Sequence, residues 1–475
     1  MVTIGPSSDT KEKIKDLIVA GANLFRLNFS HGSYQYHKNV LENIQQVSKE
    51  LGIVVGIIQD ISGPKVRIGE IKETFELFSG DYITFVNDQI IGYQESKNSY
   101  CVSINYPNIL SKVKKDEFIY LYDGAIRAKV VETTPNIKAI VENHGILTSK
   151  KGINFPNTAI NIDVITKKDR EDILWGIENG VDYFAISFVQ NKFDMLHAKE
   201  LLGSYDGKLI AKIEKFDAVE NIDEILEVSD GIMVARGDLG IEVPYYEVPI
   251  IQKMLIKKAN EKGLPVITAT QMLLSMTQNE RPTRAEISDV ANAVLDGTDA
   301  VMLSEESAVG INPINAVSTM QNIIIQTEAI YPFGKQNQMK QNDRFDIIQA
   351  SATKLADDID SKGILSLTTS GSSVSKSSRY RPKTPIYTFS KNEKILKKLT
   401  LFWGVYPFCA LYNVSEDNLF GEILKRLDSA KLLRFDGEYV TTIGYPTTIT
   451  RATNTIHIFS KEEIEYYYKR DKSYT

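Results

Sequence analysis

Only two cysteines occur in 475 residues, Cys101 and Cys409, and no Cys-x-x-Cys spacing is present. A disulfide framework and a cysteine-held zinc are therefore not expected, and a reducing cytoplasm fits. No apolar run reaches the roughly 18 residues that a membrane helix needs. The N-terminus lacks the basic-then-apolar pattern of a secretory leader. Positive charge is not in excess: 55 Lys and Arg stand against 61 Asp and Glu, for a net charge of −6. The basic face of a nucleic-acid binder is thus missing. Small anionic ligands stay open, because they need only local positive charge. Internal repeats and low-complexity segments are absent too.

What is present is a pattern of strands and helices long enough for two to four domains. Near-continuous apolar strands alternate with helices from Val2 to about Arg67, with Asp9 expected to cap the first helix, over Lys11–Ala20. That pattern means a parallel sheet covered by helices. Residues 69–153 change texture to short β-rich pieces with polar turns, which reads as an inserted all-β module. Alternation resumes near Asn154 and supplies five more strands, for a total of eight. The fold predicted is α/β: a (β/α)8 TIM barrel in two parts, 1–68 and 154–332, with the insertion as a lid domain. An open doubly wound sheet is the alternative, disfavoured because no Gly-x-Gly-x-x-Gly follows the first strand. Phe333–Arg344 reads as a linker, and 345–475 as a C-terminal α/β domain.

In such a barrel the active site lies at the C-terminal ends of the strands. Five of these ends carry ionisable groups: Arg26; Asp60, followed by Lys65 and Arg67; Lys212 and Glu214; Arg236 and Asp238; and Glu306 beside Ser304. Strand four ends in Ser187 and strand seven in Thr270. Residues two apart on a strand share a face, so Lys212 pairs with Glu214, Arg236 with Asp238 and Arg26 with Asn28. One such pair is usually a solvated salt bridge, but charge on five strand ends is costly without a purpose. Glu214 and Asp238 are hard oxygen ligands suited to Mg²⁺ or Mn²⁺. Arg26 and Lys212 suit the oxygens of a transferring phosphoryl group. Gly237 leaves its N–H open to a small anion, with a helix expected to follow. No histidine joins this group, and His31 reads as structural. Histidine-ligated zinc chemistry is disfavoured.

The runs Arg26-Leu27-Asn28-Phe29-Ser30-His31-Gly32, Ala211-Lys212-Ile213-Glu214, Ala235-Arg236-Gly237-Asp238-Leu239-Gly240 and Ala269-Thr270-Gln271-Met272-Leu273 closely resemble pyruvate kinase. So do Arg281-Pro282-Thr283-Arg284-Ala285-Glu286 and Asp289-Val290-Ala291-Asn292-Ala293-Val294. The resemblance covers nearly the whole chain. It implies phosphoryl transfer from phosphoenolpyruvate to ADP, giving pyruvate and ATP, in a cytoplasmic homotetramer. By resemblance Glu214 and Asp238 hold the metal, Lys212 neutralises the phosphoryl group and enolate, and Arg26 grips the phosphate. Asp238 also faces the substrate, while Gly237 and Thr270 hold its carboxylate. Arg67 and Lys151 contact the nucleotide. Thr270, Ser304 and Glu306 lie where the enolate is protonated. A metal-dependent aldolase or mutase of the same barrel group is the enzyme rival, and a decayed regulatory sensor the non-enzyme one.

The departures from the family pattern carry information. Residues matching Asn28, Ser30, Asp60 and the backbone of Ile61 bind K⁺ in many members, with a glutamate where this chain has Lys65. A lysine ammonium there supplies the charge itself and repels a cation, so activity without K⁺ is predicted. The rival reading is that Lys65 simply faces solvent. Glu305 precedes Glu306 where glycine is usual. Family chains usually carry several more residues completing strand one, so the opening at Met1 is abrupt. Thr368, Ser370, Gly371 and Ser373 match the loop that holds an effector phosphate, although plain helix capping explains the same residues. Thr369 and Ser372 replace basic residues there, which favours a monophosphorylated effector.

Overall fold

The computed structural model describes residues 1–156, 158, 163–334, 336, 339–341, 343–408, 410–411, 414, 418–444 and 453–470. Cys409 and four residues of the expected linker (335, 337, 338 and 342) lie outside this set. Cys101 is buried as a free thiol.

Eight parallel strands form one sheet in sequence order: Val2–Thr3, Leu24–Asn28, Gly56–Asp60, Tyr183–Ile186, Lys208–Ile213, Gly231–Ala235, Val266–Ala269 and Ala300–Val301. The sheet closes on itself. Val2 pairs with Leu303, Thr3 N–H donates to Leu303 O at 3.0 Å, and Leu303 N–H donates to Met1 O at 3.0 Å. Alternation along each strand sorts the side chains. Leu24, Ile58, Tyr183, Ala185, Ile210, Met233, Ile267 and Met302 fill the lumen with a separate apolar cluster. The outward set, including Phe25, Ile57, Phe184, Ala211, Ile232 and Val266, packs under the helices. The lumen is plugged below, so polar groups one step up each strand meet at its mouth.

Helix boundaries follow local chemistry. Ser33 caps Tyr34–Leu51 through the Tyr36 N–H, and Gly52 ends it at φ 65°. The first helix runs Lys11–Val19 and its cap is Thr10, not Asp9; Thr10 Oγ1 accepts from Lys13 N–H. Asp9 stands one residue too early to reach that donor. The insertion forms a seven-stranded sheet and a two-stranded ribbon around its own core, in which Phe75, Phe85, Val102, Ile119 and Val130 are buried. The C-terminal part has a five-stranded sheet, ordered Val405–Pro407, Ile386–Phe389, Ile364–Leu367, Tyr439–Ile443 and Thr455–Phe459, with the last strand antiparallel. No helix among the described residues is long and apolar enough to cross a membrane.

The C-terminal unit is bolted to the barrel floor. Arg381, fully buried, reaches Asp299 at 2.7 Å, Asn260 Oδ1 at 2.6 Å and Gly297 O at 3.0 Å. Asp182 heads strand four on the same floor, and its Oδ2 accepts from Ile57 N–H at 2.9 Å. Burial pushes its carboxyl up to about 7, against the Ile57 N–H and the nearby Lys397 and Lys398. A raised carboxyl keeps its proton when folded and loses it at about 4 when unfolded. Its contribution therefore stabilises the fold below about 4 and is lost as pH rises to about 7. Urea unfolding of Asp182→Asn beside the parent should show the variant gaining relative stability across that window. A difference that stays flat with pH contradicts this assignment.

Candidate active site

Lys212 stands at the centre of the barrel mouth. Its ammonium lies 2.8 Å from Glu214 Oε1, 3.1 Å from Asp60 Oδ1 and 2.8 Å from Ser187 Oγ, to which it donates. Arg26, one strand over from Asp60, meets Asp60 Oδ2 at 2.6 Å and donates to Thr3 Oγ1 at 3.1 Å. These side chains are nearly sealed from solvent, Asp60 at 2 % and Glu214 at 1 % exposed. Burial pushes Asp60 up, but Lys212 and Arg26 outweigh it and hold the carboxyl below its usual range. Burial would lower Lys212, yet Asp60 and Glu214 keep its pKa above the ordinary lysine value. The cation is therefore fixed as a cation.

Glu214 and Asp238 behave differently. Burial raises both, and Asp238 adds to the rise of Glu214. Glu214 Oε2 accepts from Phe188 N–H at 2.7 Å. The Asp238 carboxylate has no hydrogen-bond or ion-pair partner among the described residues. Two adjacent carboxylates, one of them unpartnered, are the donor set that suits a hard divalent cation. Among the described residues no group of three or more His, Cys, Asp or Glu side chains is placed to share a metal. A cation here must complete its shell from substrate and water, as Mg²⁺ usually does.

The expected pairing of Arg236 with Asp238 does not form. The strand stops at Ala235, and Arg236–Glu242 is helix. Residues two apart on a helix face nearly opposite ways. Arg236 turns instead to Asp289 at 2.7 Å, Thr270 O at 2.7 Å and Ala269 O at 3.2 Å. The Gly237 N–H is not open either, because it donates to Thr270 Oγ1 at 2.8 Å. Thr270 itself sits at φ 68°, a left-handed conformation unusual for a β-branched residue. Arg236 on its carbonyl helps to hold that geometry.

Glu306 is fully buried, and both of its oxygens are taken by backbone donors, Leu273 N–H at 3.0 Å and Ser304 N–H at 2.7 Å. Ser304 Oγ is buried without a hydrogen-bond partner among the described residues. Arg67 and Lys151 come together on the hinge: Arg67 pairs with Gly152 across an antiparallel bridge and donates to Lys150 O at 2.9 Å. The Lys151 ammonium lies 3.9 Å over the Tyr122 ring. Asn28 and Asp60 are register partners, Asn28 Oδ1 accepts from Ser30 N–H, and Ile61 O accepts from Ser187 Oγ. The Lys65 ammonium is 3.6 Å from Asp123 of the insertion, and both side chains are exposed.

This polar mouth carries the residues of the matched motifs. Two family profiles cover the chain, "Pyruvate kinase, barrel domain" over residues 1–317 and "Pyruvate kinase, alpha/beta domain" over 346–459. The chain belongs to the pyruvate kinase family. It is 41% identical over 471 residues to the pyruvate kinase of Geobacillus stearothermophilus, covering 96% of this chain and 79% of that one. It is 41% identical over 470 residues to that of Clostridium perfringens (strain 13 / Type A), covering 96% and 98%. The pyruvate kinase of Thermococcus litoralis is 40% identical over 476 residues, covering 97% of each chain.

Two partners in this site are not apparent from the sequence. Asp60 was grouped with a monovalent-cation cluster, but it also joins Arg26 to Lys212. Its position at the end of an almost wholly apolar run is the signal the sequence offers, since a carboxylate carried into the core needs a cation. Asp289 was part of a motif but had no role; it anchors Arg236. Arg236→Lys keeps the charge but cannot reach Asp289, Thr270 O and Ala269 O together. It should lower kcat/KM by about tenfold or more, roughly 1.4 kcal/mol of barrier. Steady-state kinetics check this, and a parent-like value refutes the holding role.

Proposed function

We propose that the chain moves the phosphoryl group of phosphoenolpyruvate to ADP, yielding pyruvate and ATP. The observation that carries this reading is the Lys212 ammonium, held at the barrel mouth by Asp60, Glu214 and Ser187. A fixed, buried positive charge stabilises negative charge as it develops on phosphoryl and enolate oxygens, with no reorganisation during the step. Arg26 keeps donors beyond those used by Asp60 and Thr3, and these serve the substrate phosphate. Glu214 and Asp238 would hold Mg²⁺ or Mn²⁺, which when bound supplies charge neutralisation for the phosphates. Thr270 and the Gly237 N–H form one hydrogen-bonded unit that a substrate carboxylate can open and engage. Arg67 and Lys151 offer the nucleotide two cations on the hinge, so closing the lid brings ADP over the mouth and excludes water. Ser304 Oγ, without a hydrogen-bond partner among the described residues, would relay a proton to the enolate carbon together with Thr270. Glu306 then acts by holding the Ser304 and Leu273 backbones.

Activity without K⁺ is part of this proposal. Lys65 lies near enough to Asp238 for its charge to lower that carboxyl, and it pairs with Asp123. It thus brings a positive charge to the cleft from a side chain that is itself exposed. A phosphorylated effector is proposed at 368–373, where Thr368 Oγ1 accepts from Gly371 N–H ahead of helix Ser372–Arg379. A homotetramer in the cytoplasm is the assembly the family implies.

A coupled assay for ADP-dependent pyruvate release tests the reaction. Lys212→Met should abolish turnover while urea unfolding stays cooperative; an unchanged rate refutes the mechanism. Rates in sodium-only and potassium buffers should agree within about twofold, since a lysine replaces the cation's charge. A large loss without K⁺ refutes that part alone.

A further inference from the structure

Asp169 is fully buried at the start of helix Lys167–Glu178, and none of the roles assigned above uses it. Part of its work is local. Its Oδ2 accepts from Thr166 N–H at 2.9 Å and Thr166 Oγ1 at 2.6 Å, completing a capping box. Capping does not need the other oxygen. Asp169 Oδ1 leaves the helix and accepts from Gly63 N–H at 3.1 Å, across 106 residues of chain.

Gly63 lies where the chain leaves the barrel for the lid, two residues before Lys65 and four before Arg67. It sits at φ 65° and packs so closely that a Cβ there would lie 2.8 Å from Phe188 Cδ2 and 3.0 Å from Ser187 Cβ. Phe188 is also left-handed, at φ 58°, and its N–H donates to Glu214 Oε2 at 2.7 Å. Ser187 Oγ is an acceptor of Lys212. The exit loop therefore packs on the side chains of Phe188 and Ser187, the two residues that contact a candidate metal carboxylate and the central ammonium. The same helix turn holds the neighbouring loop, since Lys168 Nζ donates to Phe29 O at 3.1 Å and meets Asp172 at 2.6 Å.

We propose that Asp169 is a positioning residue for the phosphoryl-transfer site. It fixes the height of the exit loop, and through Gly63 and Phe188 it sets the aim of Glu214 and the reach of Arg67. The inference rests on the function proposed above. It goes further in assigning to a buried residue outside the mouth the job of coupling hinge geometry to metal and nucleotide binding.

Three variants test it in the full chain, with parent turnover of phosphoenolpyruvate and ADP measured first as the separate check on the reaction. Asp169→Ala removes the carboxylate's half of the capping box and the hinge bond, and leaves the 169 N–H donating to Thr166 Oγ1. Asp169→Glu keeps a carboxylate but pushes the Gly63 contact outward by one methylene. Thr166→Val removes the Thr166 hydroxyl from the cap and leaves the Gly63 bond in place. Asp169→Ala and Asp169→Glu should raise the half-activating Mg²⁺ concentration and the KM for ADP by about tenfold, the usual scale for partners behind metal ligands. The KM for phosphoenolpyruvate should rise less than either, because Arg26, which grips its phosphate, is held by Asp60 and Thr3 rather than by this loop. Thr166→Val should lower the melting temperature with both constants unmoved. If either Asp169 variant melts lower yet keeps the parent's Mg²⁺ and ADP constants, the residue is only a cap and the proposal is overturned. Should Asp169→Ala not fold, Asp169→Glu decides alone.

Discussion

The site depends on keeping one ammonium charged in a place that water hardly reaches. Lys212 would lose its proton to burial if it stood alone. Asp60 and Glu214 reverse that, and Ser187 takes a third donor. The arrangement binds each partner in turn. Asp60 can stay ionised because Lys212 and Arg26 flank it. Glu214 is aimed by the Phe188 N–H as well as by the lysine. Buried ion pairs of this kind contribute little net stability, because desolvation offsets attraction. Their value lies in geometry: in the proposed reaction a charge already held in place would need no rearrangement as the reacting oxygens become negative.

The barrel makes this possible by sorting its lumen into two layers. Leu24, Ile58, Tyr183, Ile210, Met233 and Ile267 close the floor. One step further along the strands stand Arg26, Asp60 and Lys212. A period of two puts each polar residue directly above an apolar one, so the mouth is polar and the plug beneath it is dry. The low polarity of the plug strengthens each interaction above it. Below the plug, Arg381 and Asp299 tie the C-terminal unit to the floor. The insertion joins at the opposite end, through the paired connecting segments around Arg67 and Gly152.

Much of this was legible in the chain. Apolar strands ending in charge gave the barrel, and long polar motifs gave the family. The Lys212 and Glu214 pairing followed from strand alternation and stands at 2.8 Å. The same rule failed at Arg236 and Asp238, because it assumed the strand continued. A helix begins there instead, and Arg236 swings to Asp289, 53 residues on. The Gly237 N–H was expected to be free because glycine exposes its backbone. Thr270, from the next strand, occupies it. The first departure comes from a helix that starts one residue after the strand, the second from a group 33 residues away.

The sequence by itself determined the element order, the strand faces and the chemical types available at each strand end. These depend on side-chain period and polarity within a few residues. Only the tertiary structure decided which of those groups meet. Asp60 joining Arg26 to Lys212, Asp169 reaching Gly63 and Glu306 spending both oxygens on backbone donors are contacts across strands or long loops. A buried charge or N–H takes a partner within about 3 Å, and closure of the barrel sets which one stands there.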